Sequence, residues 1–250
     1  MGDTETTAAV VGACGGAGAT RLTVEVAGTL ARAGESVAVL DAAAATQGLA
    51  GYVPGRIDPD LTRVLLEDDC ALPAALVDLD LPVPGRAAVA PIRAPFERLA
   101  RAETAGAARS LTDLLAGPTV GQFDHVLVDV PPVATNLAVA AATASDRVTV
   151  VAPPGERGAD AVQLTRGRLA DVGSAPPGVV VDEATGRGER ALVDADATVP
   201  ESDLRAPSEA PAVVDHDPAF AQAVAAATEG VAGVAVDRES PDQGLLDGVR

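Results

Sequence analysis

The chain has 250 residues and a formal net charge of −18, and all 18 of its basic residues are arginine. The absence of lysine excludes a Schiff-base lysine, a lysine general base and a phosphate-binding loop that carries its own lysine. The acidic balance excludes a basic nucleic-acid interface and adhesion to anionic lipid, because both need clustered cationic side chains.

Hydrophobic residues make up 48% of the chain but aromatics only 2%, namely Tyr52, Phe96, Phe123 and Phe220. The expected core is therefore Val, Leu and Ala, and a chain of this length buries a substantial one without staples. Two cysteines, Cys14 and Cys70, are too few for a disulfide framework. Asp3 and Glu5 near the start, without basic residues, do not make a signal peptide. No run of about 18 apolar residues predicts a membrane span. The chain reads as cytoplasmic.

In chain order, residues 8–11 form a short apolar strand that opens a glycine-rich loop. Residues 19–33 have helical spacing, with Leu22, Val26 and Leu30 on one face and Gly34 as the stop. Residues 36–41 (SVAVLD) read as a second strand, 60–67 as a short helix and 87–91 as a strand. One long helix is expected over 96–115. Residues 125–130 (HVLVDV) are a buried strand ending in Pro131 and Pro132. Then come a helix over 134–144, a strand over 148–152, a helix over 159–172, a strand over 179–181 and an Ala-rich helix over 219–231. The segments 68–86 and 182–216, rich in Pro and acid, read as surface excursions. Residues 1–237 are expected to form one domain, with a flexible acidic tail over 238–250.

Apolar strands alternating with helices predict a three-layer α/β/α fold with a mostly parallel sheet. Ligands bind such sheets beyond the carboxyl ends of the strands. The residues to watch there are the loop after Val11, then Asp41, Asp129 and Asp182.

The loop reads Gly12-Ala13-Cys14-Gly15-Gly16-Ala17-Gly18-Ala19-Thr20-Arg21. Between a strand and a helix, glycines let the backbone approach a phosphate and the helix N-terminus favours negative charge. Gly12, Gly15 and Gly18 have the spacing of a dinucleotide fingerprint, with Asp41 where a ribose-binding acid belongs. That pattern resembles the extended short-chain dehydrogenases, which use a Tyr with a Lys four residues on. This chain has one Tyr and no Lys, so the chemistry is missing, although dinucleotide binding alone stays open.

A second resemblance extends over nearly the whole chain. Residues 14–21 align without gaps to the deviant Walker A loop, KGGVGKT followed by T or S, of the ParA/MinD family of SIMIBI-class P-loop NTPases. SVAVLD is similar to the family's second strand, which ends in an Asp-x-Asp pair. Residues 123–132 (FDHVLVDVPP) resemble its (F/Y)DxVxxDxPP strand and switch II. Ser145-Asp146-Arg147-Val148 and Gly178-Val179-Val180-Val181-Asp182 resemble two further segments, the second ending in an Asn that helps read the base.

The resemblance implies a P-loop fold and a nucleotide cradled by Gly15, Gly16 and Gly18. It implies Mg²⁺ held through Thr20, with Asp41 and Asp129 linked to the metal and its water. Strand-end acids that cap a loop are the alternative reading of those two aspartates. Arg21 could approach a phosphate, or be a solvated helix residue. Asp182 in place of Asn puts adenine preference in doubt and would suit guanine, or serve as a turn residue.

The departures concern charge. The loop lysine that contacts the β- and γ-phosphates falls on Ala19, the signature lysine of the nucleotide-sandwich dimer on Cys14, and the second acid of Asp-x-Asp on Ala43. These groups stabilise or organise charge in phosphoryl transfer, and one missing donor typically costs about 10²–10³ in rate. The expectation is a degenerate member: weak ATP or GTP binding with Mg²⁺, little or no hydrolysis, and action through protein partners in intracellular positioning or regulation, with a homodimer possible. The alternatives are a slow genuine ATPase switch, using Arg21 or a partner's residue in place of lysine, and an interaction module with an empty loop. The family's membrane-binding members end in a basic amphipathic helix; residues 241–250 carry two acids, two glycines and one Arg, a poor anchor. Abundant carboxylates without lysine resemble the proteins of salt-loving archaea, where a Debye length of about 3 Å in molar salt makes such self-repulsion tolerable.

Overall fold

A computed structural model describes residues 6–183, 194–202, 206–214 and 218–236. The tail expected over 238–250 lies outside the described residues.

Strand β1 (Thr6–Gly12) leads through the glycine-rich loop into helix α1 (Ala19–Arg32), and β2 (Ser36–Asp41) follows. A short 3₁₀ turn, Gly48–Tyr52, precedes α2 (Leu61–Leu66), α3 (Leu72–Ala75), β3 (Val77–Asp78) and β4 (Arg86–Ala90). Then come α4 (Phe96–Ala102), α5 (Ala105–Leu115), β5 (His125–Val130), α6 (Asn136–Ala144), β6 (Arg147–Ala152), α7 (Gly155–Asp171), β7 (Gly178–Asp182), β8 (Ala197–Val199) and α8 (Pro218–Ala232).

The strands form one sheet in the order β3-β4-β2-β5-β1-β6-β7-β8, and only β3 runs antiparallel. One apolar cluster, with Leu61, Leu111, Leu137 and Leu169, fills the face under α2, α5, α6 and α7; the other, with Leu22, Leu30, Val224 and Val231, fills the face under α1 and α8. The core is mainly Val, Leu and Ala, as the composition predicts, with Ile57, Ile92, Phe123 and Phe220 among them. This is the expected three-layer α/β arrangement.

The order also decides against the dinucleotide fingerprint. In that fold the first two strands are neighbours. Here β5 lies between β1 and β2, in register with both: Val10 faces Asp129, and Asp41 faces Asp129 from the other side. The carboxyl ends of β1, β2 and β5 therefore meet at one edge, and β7 ends there through β6.

Two expectations are corrected. The long helix over 96–115 is two helices, because the chain breaks at Glu103 and the Thr104 side chain accepts from the Ala107 N–H to start α5. The excursions 68–86 and 182–216 contribute the short strands β3 and β8 to the sheet edges.

Helix α1 is buried well beyond its Leu22–Val26–Leu30 stripe, with Val24, Ala27 and Ala31 at no exposure. The cause is a clasp on its outer side. Buried Glu25 accepts from the N–H groups of Ala212 (3.0 Å) and Val213 (3.1 Å), and Arg32 donates to the Val213 carbonyl at 2.6 Å. Gly28 leaves room for Pro211, whose Cγ would lie 2.5 Å from any Cβ there.

Candidate functional site

The glycine-rich loop begins where β1 ends. The Ala13 N–H donates to the Val151 carbonyl of β6 at 2.8 Å, which holds the loop base over the sheet. Gly18 caps α1 with a φ of +89°, a left-handed conformation that favours glycine. Gly15 and Gly16 are exposed, and a Cβ on either would meet no atom within 4 Å. The loop thus offers bare backbone beside a helix N-terminus, the arrangement that receives an anion.

Beneath it lie the two acids. Asp41 is fully buried; its two oxygens accept from the N–H groups of Ala43 (2.8 Å) and Ile92 (3.0 Å). Asp129 is 1% exposed, with the Thr20 hydroxyl close enough to favour its charged form, and its Oδ2 has no hydrogen-bond partner among the described residues. Both titrate above the ordinary carboxylate range, chiefly because burial penalises the charged form. For Asp129 the negative charge of Asp41 raises it further and the Thr20 hydroxyl opposes; for Asp41 the bonds from Ile92 and Ala43 oppose. Asp41 is thus satisfied by backbone, as a loop-capping acid would be, whereas Asp129 carries a buried oxygen in need of a partner. A hydroxyl beside hard carboxylate oxygens suits Mg²⁺. Among the described residues no group of three or more His, Cys, Asp or Glu is placed to hold a metal by itself, so an ion here would need oxygens from a ligand or water.

The other candidates fall around the loop. Asp182, at the end of β7, lies directly over Gly18: its Oδ2 would be 2.0 Å from a Cβ there. A carboxylate at that point complements the N-terminus of α1. Ala19 is 9% exposed and faces Gly12. Ala43 is buried, so a methyl group occupies the place of the second acid. Cys14 is a half-buried free thiol. Arg21 is engaged on the outer side of α1: it hydrogen-bonds Ser202, lies 3.8 Å from Glu25 and stacks over Phe220 at 5.5 Å.

Three residues near the site carry no local sequence signal. Gly48 passes over Thr20, with 3.3 Å between a Cβ there and the Thr20 Oγ1. Tyr52 is largely buried, and its hydroxyl is pushed up to about 12, mainly by burial, with Asp129, Glu25 and Asp182 raising it and Arg21 opposing. Arg157, in the first turn of α7, donates from Nη2 to the Gly15 carbonyl at 3.3 Å. It lies 142 residues from its acceptor, a separation that only the fold closes.

The sequence matches no protein-family model and no curated protein. Solved structures do match. MinD from Pyrococcus horikoshii OT3, a septum site-determining protein complexed with Mg-ADP, is 22% identical, with 90% of this chain and 95% of that chain covered and a TM-score of 0.72. A chain of the MinC:MinD cell division protein complex of Aquifex aeolicus is 21% identical, with 93% of this chain and 98% of that chain covered and a TM-score of 0.69. The fold is that of the MinD and ParA P-loop ATPases. Cobyrinic acid a,c-diamide synthase from Mycobacterium smegmatis, with bound ATP analogue and magnesium, is also similar: 21% identical, 94% and 100% covered, TM-score 0.63. One fold thus serves a cell-division protein and a biosynthetic enzyme, and function has to be argued from the site. No described helix is long and apolar enough to cross a membrane.

Proposed function

We propose that this chain is a degenerate MinD/ParA-type protein of the cytoplasm. It binds ATP or GTP weakly with Mg²⁺, hydrolyses it slowly or not at all, and acts through protein partners, as a monomer or homodimer, in intracellular positioning or regulation. The observation that carries the reading is the unpartnered Asp129 oxygen beside Thr20, under a bare-backbone glycine loop whose lysine positions are Ala19 and Cys14. Backbone N–H groups of Gly15, Gly16 and Gly18 would cradle the phosphates, with Ala19 and Thr20 beside them at the start of α1; Arg21 is engaged on the outer side of the helix, and the Asp182 carboxylate over Gly18 would move aside for a phosphate bound there. Thr20 would hold Mg²⁺, with Asp41 and Asp129 ordering its water. The ion would neutralise phosphate charge. With no lysine at Ala19 or Cys14 and no acid at Ala43, charge developing in the transition state would go unstabilised. Nucleotide-bound relatives of the fold support the ligand class, and the MinC:MinD complex supports a protein partner.

The test is a steady-state ATPase and GTPase assay in multimolar KCl, paired with Mg-ADP binding followed by thermal unfolding. Binding raises the apparent stability of a folded protein, so a midpoint that rises with Mg-ADP, together with negligible turnover, supports the proposal. Turnover comparable to intact ATPases of this fold, abolished by Asp129→Ala, overturns the degenerate reading. The intact Thr20–Asp129 pairing favours one second reading, a slow ATPase switch. Its sign would be Mg²⁺-dependent dimerisation on adding ATP.

A further inference from the structure

We propose that Arg157 supplies, from α7, the cation that the loop itself lacks, and that it contacts the phosphates of the bound nucleotide. The inference rests on the nucleotide reading above and adds a residue to it. A cationic side chain strengthens a phosphate site built of backbone N–H groups, and a guanidinium is suited to bidentate contact with phosphate oxygens. Neither Ala19 nor Cys14 can provide one. Arg21, the nearest arginine in sequence, is committed to Ser202, Glu25 and Phe220.

Arg157 is placed differently. Its Nη2 donates to the Gly15 carbonyl at 3.3 Å, at the exposed tip of the loop, where Gly15 and Gly16 leave open space. That single exposed bond to a neutral acceptor leaves the other guanidinium donors of Arg157 available. The position is set by packing. Gly158, one residue on, is buried against the Pro153 carbonyl: a Cβ there would be 1.7 Å from that oxygen, so glycine is required for the first turn of α7 to seat on the end of β6. Eight residues along α7, buried Thr165 donates from Oγ1 to the Ala13 carbonyl at 3.5 Å. Helix α7 therefore touches the loop at its base and at its tip, and the tip contact is the cationic one. A ligand anion over Gly15 and Gly16 would replace this one long carbonyl contact with an ion pair that the guanidinium can make bidentately.

The experiment measures Mg-ADP affinity by titration calorimetry in molar KCl for the wild-type chain, Arg157→Ala, Arg157→Lys and Arg166→Ala. Arg166 lies on the same helix and carries the same charge. The expected result is a loss of about tenfold to a hundredfold for Arg157→Ala, the size of one charged hydrogen bond. Arg157→Lys should recover part of that loss, and Arg166→Ala should match wild type. If wild type binds and Arg157→Ala matches Arg166→Ala, the assignment of Arg157 is overturned while the nucleotide reading stands. If wild type binds no Mg-ADP, the nucleotide reading falls and this assignment falls with it. Arg157 is exposed, so matching thermal midpoints without ligand will confirm that the variants are folded.

Discussion

Replacing Asp129 with Asn should make the ligand-free protein more stable. Asp129 and Asp41 are register partners on adjacent parallel strands, and such strands lie about 4.8 Å apart. Two carboxylate charges about 5 Å apart at an effective dielectric of about 20 repel by roughly 3 kcal/mol. The raised titration of both acids means that the pair holds part of a proton at neutral pH, which relieves some of that repulsion. The net gain from Asp129→Asn at pH 7.5 should therefore be about 1–3 kcal/mol. Asparagine can still accept from Thr20, and its amide can face Asp41 instead of repelling it. The assay is urea unfolding without divalent ions, repeated with Mg-ADP. The variant should gain stability in the first condition and lose most of the ligand-induced gain in the second. A variant that is more than about 1 kcal/mol less stable than wild type without ligand would refute the self-repelling pair.

Three more outcomes follow from the same geometry. Glu25→Ala removes the acceptor for the Ala212 and Val213 N–H groups and should cost about 2–4 kcal/mol in chemical denaturation; a cost below about 0.5 kcal/mol would contradict the clasp. Burial holds the His125 imidazole below its usual range, against the opposing pull of Glu35 and Asp124. The unfolded chain therefore binds the proton first, so this group's contribution falls as pH drops through about 6.5, opposite in sign to that of Asp41 and Asp129, whose raised titration adds stability as pH falls; the stability of His125→Phe relative to wild type should therefore rise between pH 7 and 5, and a constant difference would contradict it. Ala19→Lys should tighten Mg-ADP binding about tenfold or more in calorimetry, and an unchanged affinity would show that the loop backbone does not present itself to phosphate.

The sequence made the central strands legible because buried parallel strands are continuous apolar runs: SVAVLD and HVLVDV match β2 and β5 residue for residue. It did not make β3 and β8 legible, since two and three residues are too few to show a period. The break between α4 and α5 was readable in principle from Thr104 followed by Gly106, but the apolar stripe runs through it and masks the cap. The loop, Thr20 and the strand-end acids lie at predictable points of an alternating α/β chain. The environment that distinguishes Asp41 from Asp129 is not local: Ile92 supplies one partner of Asp41 from 51 residues away, and no comparable group reaches the Asp129 Oδ2. Arg157 was invisible for the same reason, because only the docking of α7 on β6 brings it to Gly15.

That difference between the two aspartates bears on the proposed function. Asp41 is fully accounted for by architecture, since both of its oxygens are bonded to backbone N–H groups of the fold. Asp129 is not. A buried carboxylate with an unsatisfied oxygen costs folding free energy, and an asparagine would fit the same place without the repulsion. An empty loop would give no return for that cost, whereas a loop that still binds a cation with its ligand would. On the proposed function, the absence of lysine at Ala19 and Cys14 would bear on catalysis of phosphoryl transfer, while the buried Asp129 would bear on holding Mg²⁺. A chain that lacks the first and keeps the second would, on that reading, bind a nucleotide more than turn it over.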